Sequence, residues 1–146
     1  MTALFEHSPW VEARADARPS SGDRHADLMA VLYAAAPAEQ LALIRAHPEL
    51  AGKAAVDRTL TQASAAEQAS AGLDRLSPED YAHFHALNAA YRERFDFPFI
   101  ICVRLTDKAG ILRAMESRLA NDRDTEIAAA LAEIGRIVRL RLEDMA

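Results

Sequence analysis

The sequence predicts an all-α fold: a single compact domain of about seven to nine helices spanning residues 1–146. Three observations carry that expectation. Apolar residues recur at three- and four-residue intervals through most of the chain, the spacing of one helical face. Helix-start signals punctuate it, the strongest being Ser77-Pro78-Glu79-Asp80. Only Phe99 to Val103 is β-flavoured, and a lone strand has no partner to pair with.

Taken in order, Pro9 and Pro19 bracket a short helix that carries Trp10. Leu28, Val31, Leu32 and Ala35 then recur at helical spacing, and Ala36-Pro37 closes that helix and opens another. The next helix carries Leu41 and Ile44 and ends before Pro48, whose ring disfavours a helical residue ahead of it. Gly52 to Leu60 reads as a connector. Thr61 or Ser64 caps a short helix that Gly72 ends. From Pro78 a helix runs to about Phe95, with Tyr81, Phe84, Asn88, Tyr91 and Phe95 on one face. Phe99 to Val103 reads as buried extended backbone or a short helical turn. Two helices finish the chain, Lys108 to about Leu119 and Asp124 to Glu143, the last with Ile127, Leu131, Ile134, Val138 and Leu142 in a stripe.

Composition narrows the function classes. Half the residues are hydrophobic (51%) and 27% are charged, which excludes a disordered chain. Aromatics are only 6%, so small aliphatic side chains must make most of the core. The net charge of −5, with arginines scattered among acids, leaves no basic stripe for nucleic acid. A single cysteine, Cys102, precludes an intramolecular disulfide and fits a reducing compartment. Met1 to Ala15 lacks a basic region followed by an apolar one, and no stretch is apolar enough for a bilayer. The expectation is a cytoplasmic protein that binds neither membrane nor nucleic acid.

Three polar clusters interrupt the aliphatic background. His47 closes a helix beside Pro48, where unpaired carbonyls favour an imidazolium and suit a proton-handling role. Capping the helix end is the plainer reading. Ser64, Glu67 and Gln68 share a helix face at i, i+3 and i+4, so they can converge on a ligand, although Ser-x-x-Glu is also a capping box. Arg104 follows the apolar run and is either a snorkelling stem or a clamp for a carboxylate or a carbonyl-rich ring. The backbone amides from Phe99 to Val103 need partners somewhere, and an anion or ureido oxygens would serve. Cys102 reads as a small buried hydrophobe rather than a nucleophile. His83 and His85, two apart on a helix, cannot share a metal at the usual i, i+4 spacing, and no metal site is expected.

These clusters, in this order, make the chain resemble the OHCU decarboxylase family, whose members act on 2-oxo-4-hydroxy-4-carboxy-5-ureidoimidazoline. The resemblance runs over nearly the whole chain. It is carried by Ser8 to Val11, Leu43 to Gly52, Ser64 to Leu73, Leu87 to Tyr91 and Phe97 to Arg104. It implies an all-α, cofactor-free enzyme of urate degradation that forms (S)-allantoin with loss of CO2. Carried over, His47 is the catalytic acid/base; the residues themselves suggest that Glu67 helps to set its orientation or pKa. Pro48, Ser64, Ala65, Ala66, Glu67, Gln68, Phe99, Ile100, Ile101, Cys102 and Val103 bind substrate, with Arg104 close by. Asp96 stands where the family usually has glycine. Glycine there permits positive φ, which Asp tolerates better than most residues.

The partners implied are a small ureidoimidazoline substrate, a second copy of the chain through the C-terminal apolar stripe, and functional association with hydroxyisourate hydrolase. An intramolecular core explains that stripe equally well. Two rival readings are a non-catalytic helical interaction module and a helical hydrolase of a related ureide.

Overall fold

Among the residues that the computed structural model describes (4, 5, 7–51 and 61–145), the chain forms seven α-helices and one 3-10 turn, with no strand. The connector expected from Gly52 to Leu60 lies outside the described residues. α1 (Trp10–Asp16) starts directly after Pro9 and packs on α2 (Arg24–Ala34). Asp23 caps α2 by accepting from the Ala26 amide at 3.0 Å. The chain then bends by 116° into α3 (Pro37–Arg45). Proline suits that first position because the N–H it lacks would have had no helical partner.

α4 (Gln62–Ser70) resolves the choice of cap. Thr61 holds that place, its hydroxyl accepting from the Ser64 amide at 3.2 Å. Ser64 therefore sits within the first turn, and Ser64-x-x-Glu67 is not a capping box. At the far end Gly72 adopts φ +77°, while Leu73 donates to the Gln68 carbonyl and Gly72 to that of Ala69, both at 3.0 Å. This is a Schellman closure, for which a residue without Cβ is best suited.

Ser77 caps α5 (Pro78–Phe95) by accepting from the Asp80 amide at 3.1 Å. Phe84, Asn88, Tyr91 and Phe95 are buried as the spacing predicts. Tyr81 is not: it is 40% exposed and stacks on His85, because the core reaches α5 only from Phe84 onward. Asp96 ends the helix at φ +63°, and Arg45 holds both its carbonyl (3.0 Å) and its carboxylate (2.6 Å). The backbone from Phe97 to Cys102 is irregular and largely buried before it tightens into the 3-10 turn Val103–Leu105. That outcome matches the expected buried non-strand segment.

α6 (Lys108–Arg118) packs on α5. α7 (Arg123–Met145), about 34 Å long at 1.5 Å per residue, packs against α2 and α3. Leu131, Ile134 and Val138 of its apolar stripe are buried within the chain, so the stripe serves the core of a single molecule. α7 also buries Glu126, Glu133 and Arg141. Buried charges require partners: those of Arg141 line the cleft described next, and those of Glu126 lie behind it. No single helix among the described residues is long and apolar enough to cross a membrane.

Candidate active site

A cleft of about 440 Å³, its mouth included, opens between the end of α3, α4, the Phe99–Arg104 segment and the C-terminal half of α7. His47, Pro48, Ser64, Glu67, Gln68, Arg104 and every residue from Phe99 to Val103 line it. Ala65 and Ala66 do not, and both are exposed on the outer face of α4. The helical period explains this: Ser64, Glu67 and Gln68 share the inner face, which residues one and two past Ser64 cannot reach.

His47 is 7% exposed and sits just past the end of α3. Its Nδ1 lies 3.0 Å from the Leu43 carbonyl oxygen. A carbonyl can only accept, so Nδ1 carries the hydrogen and Nε2, across the ring, is the atom that takes up or releases a proton. Helix end and imidazole thus fix the tautomer together, so the capping contact is compatible with proton exchange at Nε2.

The turn behind His47 is held from two sides. Gln68 accepts from the Ala51 amide at 3.0 Å and donates to the Glu49 carbonyl at 3.4 Å. Asn88 donates to the Leu50 carbonyl at 2.8 Å. Ala51 lies at φ +53°, an uncommon conformation for a residue with Cβ, and these two carboxamides hold the backbone around it. Gln68, expected among the substrate-binding residues, has both ends of its amide on the protein backbone.

Glu67 meets Arg141, which the sequence analysis did not single out. Arg141 Nε donates to Oε2 at 2.9 Å and Nη2 to Oε1 at 2.7 Å, a bidentate pair. The same Nη2 reaches Ser64 Oγ at 3.3 Å, and Nη1 reaches the Leu4 carbonyl at 3.3 Å. Arg141 is 2% exposed yet lines the cleft. A sequence signal existed: Arg141 continues the buried i, i+4, i+3 series from Ile134 and Val138, and a guanidinium on an apolar stripe asks for a partner.

Arg104, at the rim, forms a bidentate pair with Asp144 at 2.6 and 3.2 Å, and this contact holds its guanidinium above the ordinary arginine value. Of the amides in the Phe99–Val103 segment, that of Cys102 already donates to Glu133 Oε1 at 3.0 Å. Burial pushes the Cys102 thiol up, which agrees with a packing residue and not a nucleophile.

An imidazole with one fixed tautomer, a carboxylate locked to a guanidinium and a second guanidinium at the rim meet in a half-open, partly apolar cleft. Fold and site together define an all-α protein with a cleft lined by an imidazole and two paired guanidiniums, a setting suited to a small polar molecule. Comparison with known proteins makes this specific. The family model described as OHCU decarboxylase matches residues 1–143. The 2-oxo-4-hydroxy-4-carboxy-5-ureidoimidazoline decarboxylase of Haloferax volcanii is 43% identical over 97% of this chain and 83% of its own length. Its counterpart from Mus musculus is 38% identical over 97% and 82%. The uric acid degradation bifunctional protein of Bacillus subtilis is 41% identical over 98% of the chain, which spans only 29% of that longer protein. Among solved structures, an OHCU decarboxylase in the presence of (S)-allantoin shares the fold (TM-score 0.74, 19% identity, 97% of this chain and 93% of that one). An (S)-allantoin synthase matches at TM-score 0.70 and 26% identity over 97% of this chain and 46% of that one. The chain belongs to the OHCU decarboxylase family.

Proposed function

We propose that this chain decarboxylates 2-oxo-4-hydroxy-4-carboxy-5-ureidoimidazoline to (S)-allantoin in urate degradation, with His47 as the proton-handling residue. The observation that carries the reading is the fixed tautomer of His47, bonded through Nδ1 to the Leu43 carbonyl in a cleft shared with the Glu67–Arg141 pair. Loss of CO2 leaves electron density on the ring, which the site must stabilise and then protonate from one face. In this reading His47 Nε2 takes the proton of the substrate hydroxyl as the C–CO2 bond breaks. Arg141 and Arg104 offset negative charge before and during that step, and the partly apolar walls favour departure of a neutral molecule over a retained carboxylate. Glu67 acts through Arg141, holding that guanidinium in one orientation. Ser64 and the backbone from Phe99 to Val103 complete the contacts to the ring and ureido group, beside Pro48 and a Gln68 that shapes the His47 turn.

The same reading makes this a cytoplasmic enzyme that acts downstream of hydroxyisourate hydrolase in urate degradation; two longer relatives carry the name uric acid degradation bifunctional protein. A homodimer is carried by the family resemblance alone, because the α7 stripe is buried within one chain; sedimentation at micromolar concentration checks it. The deciding assay generates fresh substrate from urate with urate oxidase and hydroxyisourate hydrolase and follows optical activity. A rapid (S)-allantoin signal with CO2 evolved is the expected outcome. Slow racemic allantoin, unaffected by the protein, would support a non-catalytic helical module, and release of ammonia or urea would support a ureide hydrolase.

A further inference from the structure

Behind the cleft, α7 and α6 hold a second polar network that the reaction described above does not use. Glu126 is 0% exposed. Its Oε1 accepts from Arg118 Nε at 2.8 Å and from the Tyr91 hydroxyl at 2.5 Å, and its Oε2 accepts from Asn121 at 2.8 Å. Arg118 extends past this carboxylate and donates from Nη1 to the Ile100 carbonyl at 2.7 Å. Its guanidinium also lies 4.3 Å from the centre of the Phe99 ring, and that ring and Tyr91 meet edge-on at 5.3 Å between centroids. Two turns further along α7, Glu133 Oε1 accepts from the Cys102 amide at 3.0 Å.

The two anchors bracket one residue. The Ile100 carbonyl is fixed toward Arg118 and the Cys102 N–H toward Glu133. No cis peptide occurs among the described residues, so each N–H lies opposite the preceding carbonyl across its peptide plane. The Ile101 N–H therefore points away from Arg118, and the Ile101 carbonyl away from Glu133. Ile101 itself lines the cleft.

Stability alone is a poor explanation for this arrangement. Desolvating an ion pair as deep as Arg118–Glu126 offsets much of its attraction, and Arg118 Nη2 is buried with no hydrogen-bond partner. What the network does supply is a single orientation for two consecutive peptide groups. We propose that Arg118, held by Glu126, and Glu133 are positioning residues that turn the Ile101 amide toward the cleft as a donor to a substrate carbonyl. This rests on the proposed function, because it assigns the segment to substrate binding.

The test compares Glu133→Ala, Glu133→Gln and Arg118→Lys with the unchanged protein. Each is measured by steady-state kinetics with substrate generated in situ and by calorimetric titration with (S)-allantoin, with concentration corrected to the folded fraction. E133A removes the Cys102 acceptor, and E133Q restores an amide oxygen at the same place. R118K keeps the charge beside Glu126 but cannot also span to Ile100 or stack on Phe99. The expected result is an approximately tenfold rise in KM and in the allantoin dissociation constant for E133A and R118K, the scale of one lost charge-assisted hydrogen bond. E133Q should lie close to the unchanged protein, and the pH profile of kcat should stay put in all three. Lower thermal stability with unaltered KM and allantoin affinity in E133A would overturn the proposal, even if R118K failed to fold. If the unchanged protein itself neither turned over substrate nor bound allantoin, the functional reading would fall first.

Discussion

At the scale of single residues, the site depends on which atoms are already committed. Glu67 and Arg141 form a nearly buried bidentate pair, so changing one member strands the other's charge in a poorly solvated place. Glu67→Gln should lower stability by about 3 kcal/mol and reduce kcat/KM at least tenfold, measured by urea unfolding and by the optical assay. Unchanged stability would mean that the pair is far better solvated than its burial indicates. Much of the cleft lining was legible beforehand. His47, Pro48, Ser64, Glu67, Gln68, Arg104 and the Phe99–Val103 run all line one cleft, as their motifs implied. Ala65 and Ala66 were carried along by a contiguous motif, although the helical period turns them outward. Arg141 escaped notice because it stands among the exposed Arg136 and Arg139, and only its place on the Ile134–Val138 series sets it apart from them.

At the scale of elements, start and stop signals placed most helix boundaries to within a residue or two, since caps are local chemistry. The choice between Thr61 and Ser64 was not local. It depends on which hydroxyl the rest of the fold draws inward, and Ser64 faces Arg141. Asp96 offers a sharper test of local conformation. It occupies the left-handed region at the end of α5, where glycine would be unstrained, but its exposed carboxylate also pairs with Arg45. Relief of backbone strain and loss of a surface ion pair are each worth about 1 kcal/mol and oppose one another. Asp96→Gly should therefore shift unfolding free energy by less than about 1 kcal/mol and leave kcat/KM unaltered. A loss above about 2 kcal/mol would show that the Arg45 contact holds the Phe97–Arg104 segment in place, beyond the usual worth of an exposed pair.

At the scale of the whole molecule, α7 organises both stability and function. One of its stripes fills the core, and an adjacent one carries Glu126, Glu133 and Arg141 at intervals of seven and eight residues toward the cleft and its supporting segment. This polar stripe was invisible to a reading that counted apolar positions alone, because its partners come from α4, α5 and α6. Burial, reinforced by the bond to Glu126, pushes the Tyr91 hydroxyl up, as burial does the Cys102 thiol. Both groups stay protonated in the folded state at pH values where the unfolded chain releases their protons. The unfolded state then binds fewer protons, so stability must fall as pH rises past the ordinary values of 9.0 for the thiol and 10.0 for the phenol. Thermal midpoints should be flat near neutrality and decline above about pH 9, less steeply above pH 10 in Tyr91→Phe. Equal steepness in that variant would remove Tyr91 from the explanation.

The account turns on His47, and the most direct measurement is the rate of (S)-allantoin formation by His47→Gln, followed by circular dichroism on freshly generated substrate. Gln keeps the approximate size and can still donate toward the Leu43 carbonyl, but it cannot exchange a proton near neutral pH. We expect kcat to fall by about 10²–10⁴, the usual contribution of a positioned acid/base group, while far-ultraviolet dichroism and thermal midpoint stay close to those of the unchanged protein. Turnover within a fewfold of the unchanged protein would contradict the assignment and move the proton transfers to another group in the cleft.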